Sequence, residues 1–275
     1  MAEATHPSPS FWRTFWTNAL LAPRTSLGFM RVDFVIGTVF IIPLTQMVFF
    51  AFVVLLGENG SASTGSAIAF TAVGNAVATV TYSSVFSVCQ TTDSEKQQGT
   101  MEHLLVSPAN RLALYFGRGL IPILISFATV TVGLLYAQFL FGAGISGSAV
   151  PALAVSVILT ALAMVGFGLL LGGVALYLRT SIILGNIFLF IGLLLSGVNF
   201  PVSQLPVPLQ YAGDALPLTW GLAAIRASIA GDSTGTLLQL WGAVALCAAV
   251  AFGCAIGLWQ VFERRALSTG SIARF

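Results

Sequence analysis

Charge is what this chain has least of. Of its 275 residues only 7% are Asp, Glu, Lys or Arg while 57% are apolar, and soluble domains carry about 25% charged residues. Eleven basic and nine acidic groups cannot cover a water-facing surface, which excludes a one-domain soluble enzyme. The mean hydropathy of +0.94 agrees, and the chain reads as an integral membrane protein. Cysteine and histidine are almost as scarce. Cys89, Cys247 and Cys254 have no metal-ligand spacing, and His6 and His103 stand far apart, so neither a disulfide scaffold nor a metal site is expected. The only lysine, Lys96, is followed by Gln97. The phosphate-cradling loop G-x-x-x-x-G-K-[ST] is therefore missing, and the chain hydrolyses no ATP by that motif. A net charge of +2 gives no reason to expect a nucleic-acid partner.

What is there is length without charge. A hydrocarbon core of about 30 Å takes roughly 20 apolar residues per helix. Six stretches qualify: Asp33 to Leu56, Ser66 to Gln90, two inside Gly119 to Leu178, Ser181 to Phe200, and Thr236 to Phe262. The Gly119–Leu178 stretch is broken by glycines and serines between Phe141 and Ser148, which read as a tight outer turn. The fold class expected is thus an all-α membrane protein of six transmembrane helices. It divides into a cytoplasmic tail over 1–32, a six-span domain over 33–262 and a second cytoplasmic tail over 263–275. With both termini inside, ten of the eleven basic residues face the cytoplasm and Arg226 alone lies outside, as the excess of Lys and Arg on inner loops requires. Ahead of the first span, Phe11, Trp12, Phe15, Trp16, Ala19 and Leu20 recur at helical spacing between a capping Ser10 and Pro23. That pattern predicts an amphipathic helix lying in the inner interface. The apolar run after it is too long for the core of a signal peptide.

No ionisable side chain falls near any span centre, and such groups are the usual mark of proton or sodium coupling. An ion-coupled carrier is therefore disfavoured, as is an intramembrane hydrolase, which would need a histidine, acidic pair or metal at depth; no catalytic residue is expected. The amides Gln46, Asn75, Gln138, Asn186 and Asn199 read first as glue between helices. The spacings Gly168-x-x-x-Gly172 and Gly253-x-x-x-Gly257 would let backbones approach. Gln46, Phe49, Phe50, Asn186, Phe190 and Asn199 remain the candidates for a substrate path, with lipid contact the default for each phenylalanine.

Two loops carry more information. In the inner loop 91–111, Thr92 with Glu95 and Ser94 with Gln97 fit the capping-box pattern. Met101, Leu104 and Leu105 then form a short apolar stripe, and Pro108 ends it. Such a helix can lie on the bilayer or dock into a partner's groove. The outer loop 201–232 holds Pro201, Pro206, Pro208 and Pro217, then an apolar run from Leu218 to Ala230 that ends at Gly231. A run of that length reads as re-entrant or interfacial, with Pro217 in its first turn and Gly231 as its C-terminal cap. Arg226 could meet a lipid phosphate, Asp214 or a substrate anion, and the plainer expectation is a headgroup anchor or local ion pair.

The run Glu95-Lys96-Gln97-Gln98-Gly99-Thr100-Met101-Glu102-His103-Leu104-Leu105-Val106-Ser107-Pro108 resembles the inner-loop signature of type-2 ATP-binding-cassette exporter permeases, roughly E-[KR]-x-x-G-T-[LM]-E-x-L-L-x-[ST]-P. Ser196-Gly197, Pro201, Leu205-Pro206, Leu216-Pro217-Leu218-Thr219 and Arg226 resemble the family's outer segment before the last span, which folds there into two short helices dipping into the outer leaflet. The resemblance implies a coupling helix formed by Glu95, Gly99, Thr100, Met101, Glu102, Leu104, Leu105 and Pro108. It also implies a separate ATPase subunit that holds ATP and Mg, a second permease chain, identical or related, and a bacterial inner (cytoplasmic) membrane location. No cofactor would be bound by this chain itself. The S-P ending of the signature and the uncharged spans look most like the drug-export branch, typified by daunorubicin-type antibiotic exporters. Export of a lipid-linked glycan or glycolipid is the alternative, and a non-transporting membrane scaffold or sensor is a further one.

Overall fold

The computed structural model describes residues 36–57, 64–86, 120–175 and 181–269. Among them every regular element is helical. The loop with Glu95 to Pro108, the segment expected to form an amphipathic helix before the first span, and residues 270–275 lie outside the described residues.

Helix α1 runs from Gly37 to Gly57, its first stretch, Gly37–Ile41, wound as a π-helix in which the Ile42 N–H reaches the Gly37 carbonyl. Pro43 supplies the cause. It has no N–H to give Val39, four residues back, and a wider turn lets the register skip that missing bond. Helix α2, Thr64–Thr81, likewise ends in a π-helical segment, Tyr82–Phe86. Helix α3, Leu120–Phe141, stops where Gly142 and Gly144 take φ of 64° and 70°. There the Gln138 side-chain oxygen accepts from the Ile145 N–H at 2.6 Å, so this amide ties down the turn that follows its own helix. A 3₁₀ turn, Gly147–Ala149, leads into α4, Val150–Ala175. Helices α5, Ser181–Leu195, α6, Val207–Asp214, α7, Pro217–Ala230, and α8, Thr234–Thr269, complete the order.

Five of these helices are long and apolar enough to cross a membrane; the apolar run of α5, Ile183–Leu195, is shorter. The fifth expected span therefore differs from the sequence reading, which carried it to Phe200. Ser196 and Gly197 turn the chain, Gly197 at φ 74°, so the helix has 15 residues, about 22 Å. The last helix departs the other way, continuing beyond Phe262 to Thr269.

Helices α2 and α4 form the centre. The membrane-length window of α2 is 78% buried and that of α4 61%, against 17% for α1 and for α8. Small residues explain the difference, because in lipid helices associate by close packing. A Cβ at Gly133 of α3 would come within 2.9 Å of Ala76 on α2. One at Gly168 of α4 would come as near the Ser84 carbonyl. Gly168 thus performs the close approach its spacing suggested. At Gly253 and Gly257 of α8 a Cβ would meet nothing within 4 Å among the described residues. The main core gathers Met47, Val77, Val130, Met164, Leu218 and Ile225, and a smaller cluster of Val165, Leu169, Ala255 and Trp259 joins α4 to α8.

Candidate functional site

Two polar features stand out in this apolar bundle. The first is built around Arg226 on α7. Pro217 opens that helix and Gly231, at φ 75°, closes it. The Gly231 N–H bonds to Ser228 and the Asp232 N–H to Ala227, the paired bonds of a Schellman cap. Both ends match the sequence expectation. Leu218, Leu222 and Ile225 turn into the core, and Gly221 lies so close to α4 that a Cβ would come within 2.5 Å of Thr160. Helix α6 packs on the end of α5 through Gly213. It is tied to α7 by the Thr219 hydroxyl donating to the Gly213 carbonyl at 2.6 Å and the Trp220 Nε1–H to the Asp214 carbonyl at 2.8 Å. Pro206 precedes the first turn of α6, and Pro201 the short 3₁₀ turn Val202–Gln204 before it.

This anchoring points Arg226 inward. Its guanidinium donates to the carbonyls of Gly197 at 2.8 Å, Val198 at 3.1 Å and Phe70 at 3.2 Å, and its carbon sits 3.4 Å from the centroid of the Phe70 ring. No carboxylate among the described residues pairs with it, and Asp214 is exposed elsewhere. In place of the expected local ion pair, these carbonyl bonds hold the guanidinium. A planar donor with several N–H groups suits a tight turn whose carbonyls lack helical partners, and here it clamps that turn to α2. The guanidinium keeps its charge, as arginine does in proteins. A glycine makes the clamp possible: any Cβ at Gly74 would land on the Val198 carbonyl oxygen, and it would come within 2.9 Å of the guanidinium. Next to it, the Asn75 amide donates to Asn199 Oδ1 at 2.8 Å and to the Thr71 carbonyl at 2.9 Å.

The second feature is a cavity of about 50 Å³ between α1, α2, α3 and α5, lined by Thr38, Gln46, Thr79, Tyr82, Ser83 and Thr129 beside aliphatic side chains. Below it Ser126 of α3 lies 2.7 Å from the Ser83 hydroxyl and 2.8 Å from that of Ser84. Ile42, Gln46 and Phe49 share one stripe of α1, and Asn186, Phe190 and Leu193 one stripe of α5, by helical spacing. Phe49, Phe190 and Asn186 are exposed and Gln46 is half-buried. Phe50 is half-buried and meets the Phe49 ring edge-on at 5.2 Å. Of the substrate-path candidates, Gln46 lines the cavity, Phe49, Asn186 and Phe190 are exposed on the two helices that border it, taken together as the α1–α5 surface, and Asn199 lies beside the Arg226 clamp. Sequence reasoning missed Phe70, Gly74, Ser83 and Ser126. A glycine beside an asparagine in a small-residue helix was the available signal for the first pair; nothing local marks the second.

The model of the ABC-2 type transporter family matches residues 18–230. The chain is 29% identical over 126 residues to the probable multidrug ABC transporter permease YbhR of Escherichia coli K12, and to the same extent to its counterpart in Escherichia coli O157:H7. That alignment covers 46% of this chain and 32% of each relative, so the chain spans about a third of the length of the curated relatives it matches.

Proposed function

Since the chain belongs to the ABC-2 type transporter family, and is a multi-pass membrane permease by its apolar helices, we propose that it is the transmembrane subunit of an ATP-driven exporter of drugs or other lipophilic small molecules. A separate ATPase subunit holding ATP and Mg energises it. The observation that carries the substrate class is the α1–α5 surface. Exposed Phe49, Phe190 and Asn186 with half-buried Gln46 offer ring faces and neutral amides without a formal charge, which suits an apolar molecule with neutral hydrogen-bonding groups. Two copies of the chain, or this chain and a related one, enclose that surface and make it the pathway. Asn186 then finds in the assembly the partners that lipid does not supply.

In this account α5, with the turn at Ser196, is the fifth of six spans. Both termini and the loop 91–111 face the cytoplasm of a bacterial cell, as the distribution of arginine supports. Helices α6 and α7 dip into the outer leaflet. Their position supports this: α7 contacts Thr160, ten residues after Val150 opens α4, hence about 15 Å along that helix. The loop from Glu95 to Pro108 docks on the ATPase and moves the helices as rigid bodies, and substrate binds differently in the two states that alternate.

The test is to replace Glu102 with Arg, or Leu105 with Pro, and to measure ATP-dependent transport together with complex formation. Insertion stays normal and transport falls to background. Full transport by a normally assembled complex would overturn the role given to this loop.

A further inference from the structure

The chemistry of the cavity between α1, α2, α3 and α5 leans towards acceptors. Two of the hydroxyls that line it donate their only proton to their own helices. Thr79 Oγ1 donates to the Ala76 carbonyl at 2.6 Å and Thr129 Oγ1 to the Ile125 carbonyl at 2.7 Å. A hydroxyl carries one donor and two lone pairs, so what these two present elsewhere is acceptor oxygen. The Gln46 amide, with no hydrogen bond among the described residues, adds a carbonyl oxygen on the α1 side. Both π-helical segments reach this place: Thr38 belongs to Gly37–Ile41 and Tyr82 with Ser83 to Tyr82–Phe86. Such segments interrupt the regular carbonyl ladder and recur at functional sites. Irregular helical carbonyls at membrane depth are one way in which membrane proteins hold alkali ions.

We infer that this cavity is a binding site for one compact monocation, coordinated by neutral oxygens of α1, α2 and α3. An anion finds no cationic side chain among the described residues that line the cavity. A divalent ion is disfavoured because calcium and magnesium sites rely on carboxylates and none of the described lining residues carries one. The volume of about 50 Å³ holds a small ion with one or two waters, since each water needs about 10–15 Å³ on this measure. The same oxygens serve an alkali ion from solution or the ammonium head of an amphiphilic molecule lodged on the α1–α5 surface. The inference is drawn from the helices alone and does not depend on ATP-driven export.

The test is therefore a stability measurement on the purified full chain, with no ATPase present. Thermal unfolding is followed at constant ionic strength as choline chloride is replaced by sodium, potassium or methylammonium chloride. At least one small cation raises the unfolding temperature saturably, as a ligand specific to the folded state must. Gln46→Leu and Thr79→Val raise the half-saturating concentration about tenfold, the equivalent of ~1.4 kcal/mol, while unfolding in choline as the parent chain does. Stabilisation by sodium or potassium assigns the site to an alkali ion, and by methylammonium alone to an ammonium head. Equal unfolding temperatures in all four salts would mean that the cavity holds only water, and would overturn the inference. So would a cation effect that both variants retain unchanged.

Discussion

Replacing Arg226 with alanine removes a side chain that joins α7, the turn after α5 and α2. Three charge-assisted bonds to the carbonyls of Gly197, Val198 and Phe70 are lost, each with a net value of about 1.5–3 kcal/mol. Contact with the Phe70 ring adds about 0.5–2 kcal/mol. Against this stands the desolvation that the guanidinium no longer suffers, together with water reaching the freed carbonyls, so about 3 kcal/mol is the expected loss of stability, within the range for breaking a buried polar network. For a chain of this size that corresponds to roughly 6–12 °C in unfolding temperature, measurable by heating detergent-solubilised protein and following the folded fraction by size-exclusion chromatography. Arg226→Lys keeps the charge but loses the fork that spans adjacent carbonyls, and about half the loss is expected. Gly74→Ala tests the same contact from α2. Its methyl group displaces the Val198 carbonyl at a cost of about 1–3 kcal/mol, typical of overpacking. Because both changes break one contact, the double variant is less destabilised than the sum of the two. An unfolding temperature unchanged in Arg226→Ala, or strict additivity with Gly74→Ala, would refute the clamp.

Ser126→Ala leaves the Ser83 and Ser84 hydroxyls without their shared partner, at a cost of about 1–2 kcal/mol; Ser126→Thr, which keeps the hydroxyl, recovers most of it in the same heating assay. Gly231→Ala forces a side chain into a left-handed turn at φ 75° and lowers stability by about 1 kcal/mol, whereas Asn at that position, tolerant of this region, costs less. An alanine variant as stable as the parent would contradict the cap.

These perturbations separate what the sequence makes legible from what it hides. Length and absence of charge mark the helices because a span is a local requirement, met residue by residue. Pro217 and Gly231 frame α7 for the same reason: each acts on the backbone where it stands. Gln138 read as glue between helices and holds the turn after its own helix, since an acceptor near a glycine turn finds the nearest orphan N–H, at Ile145. Arg226 illustrates the limit. Its partners are carbonyls, which every residue owns, and Phe70 lies 156 positions away, so no residue pattern could announce them. Asn75 and Asn199, 124 positions apart, were individually visible as amides in apolar surroundings, but their pairing needs the turn at Gly197 that shortens α5. The π-helical segments were equally hidden. The one beside Pro43 has a local cause that can be recognised afterwards, whereas the one at Tyr82–Phe86 packs against α3 and α4 and has no local residue that announces it. The residues of the inner loop were legible only through family resemblance, and Glu95 to Pro108 lie outside the described part of the structure.

The most direct test of the account is made in inside-out membrane vesicles containing this chain and its ATPase subunit, loaded externally with a lipophilic fluorescent dye. ATP drives the dye into the vesicle interior, uptake persists when proton and sodium gradients are collapsed, and it stops when ATP is replaced by a non-hydrolysable analogue. Uptake that follows an ion gradient and ignores ATP hydrolysis would contradict the assignment of this chain as the permease of an ATP-driven exporter.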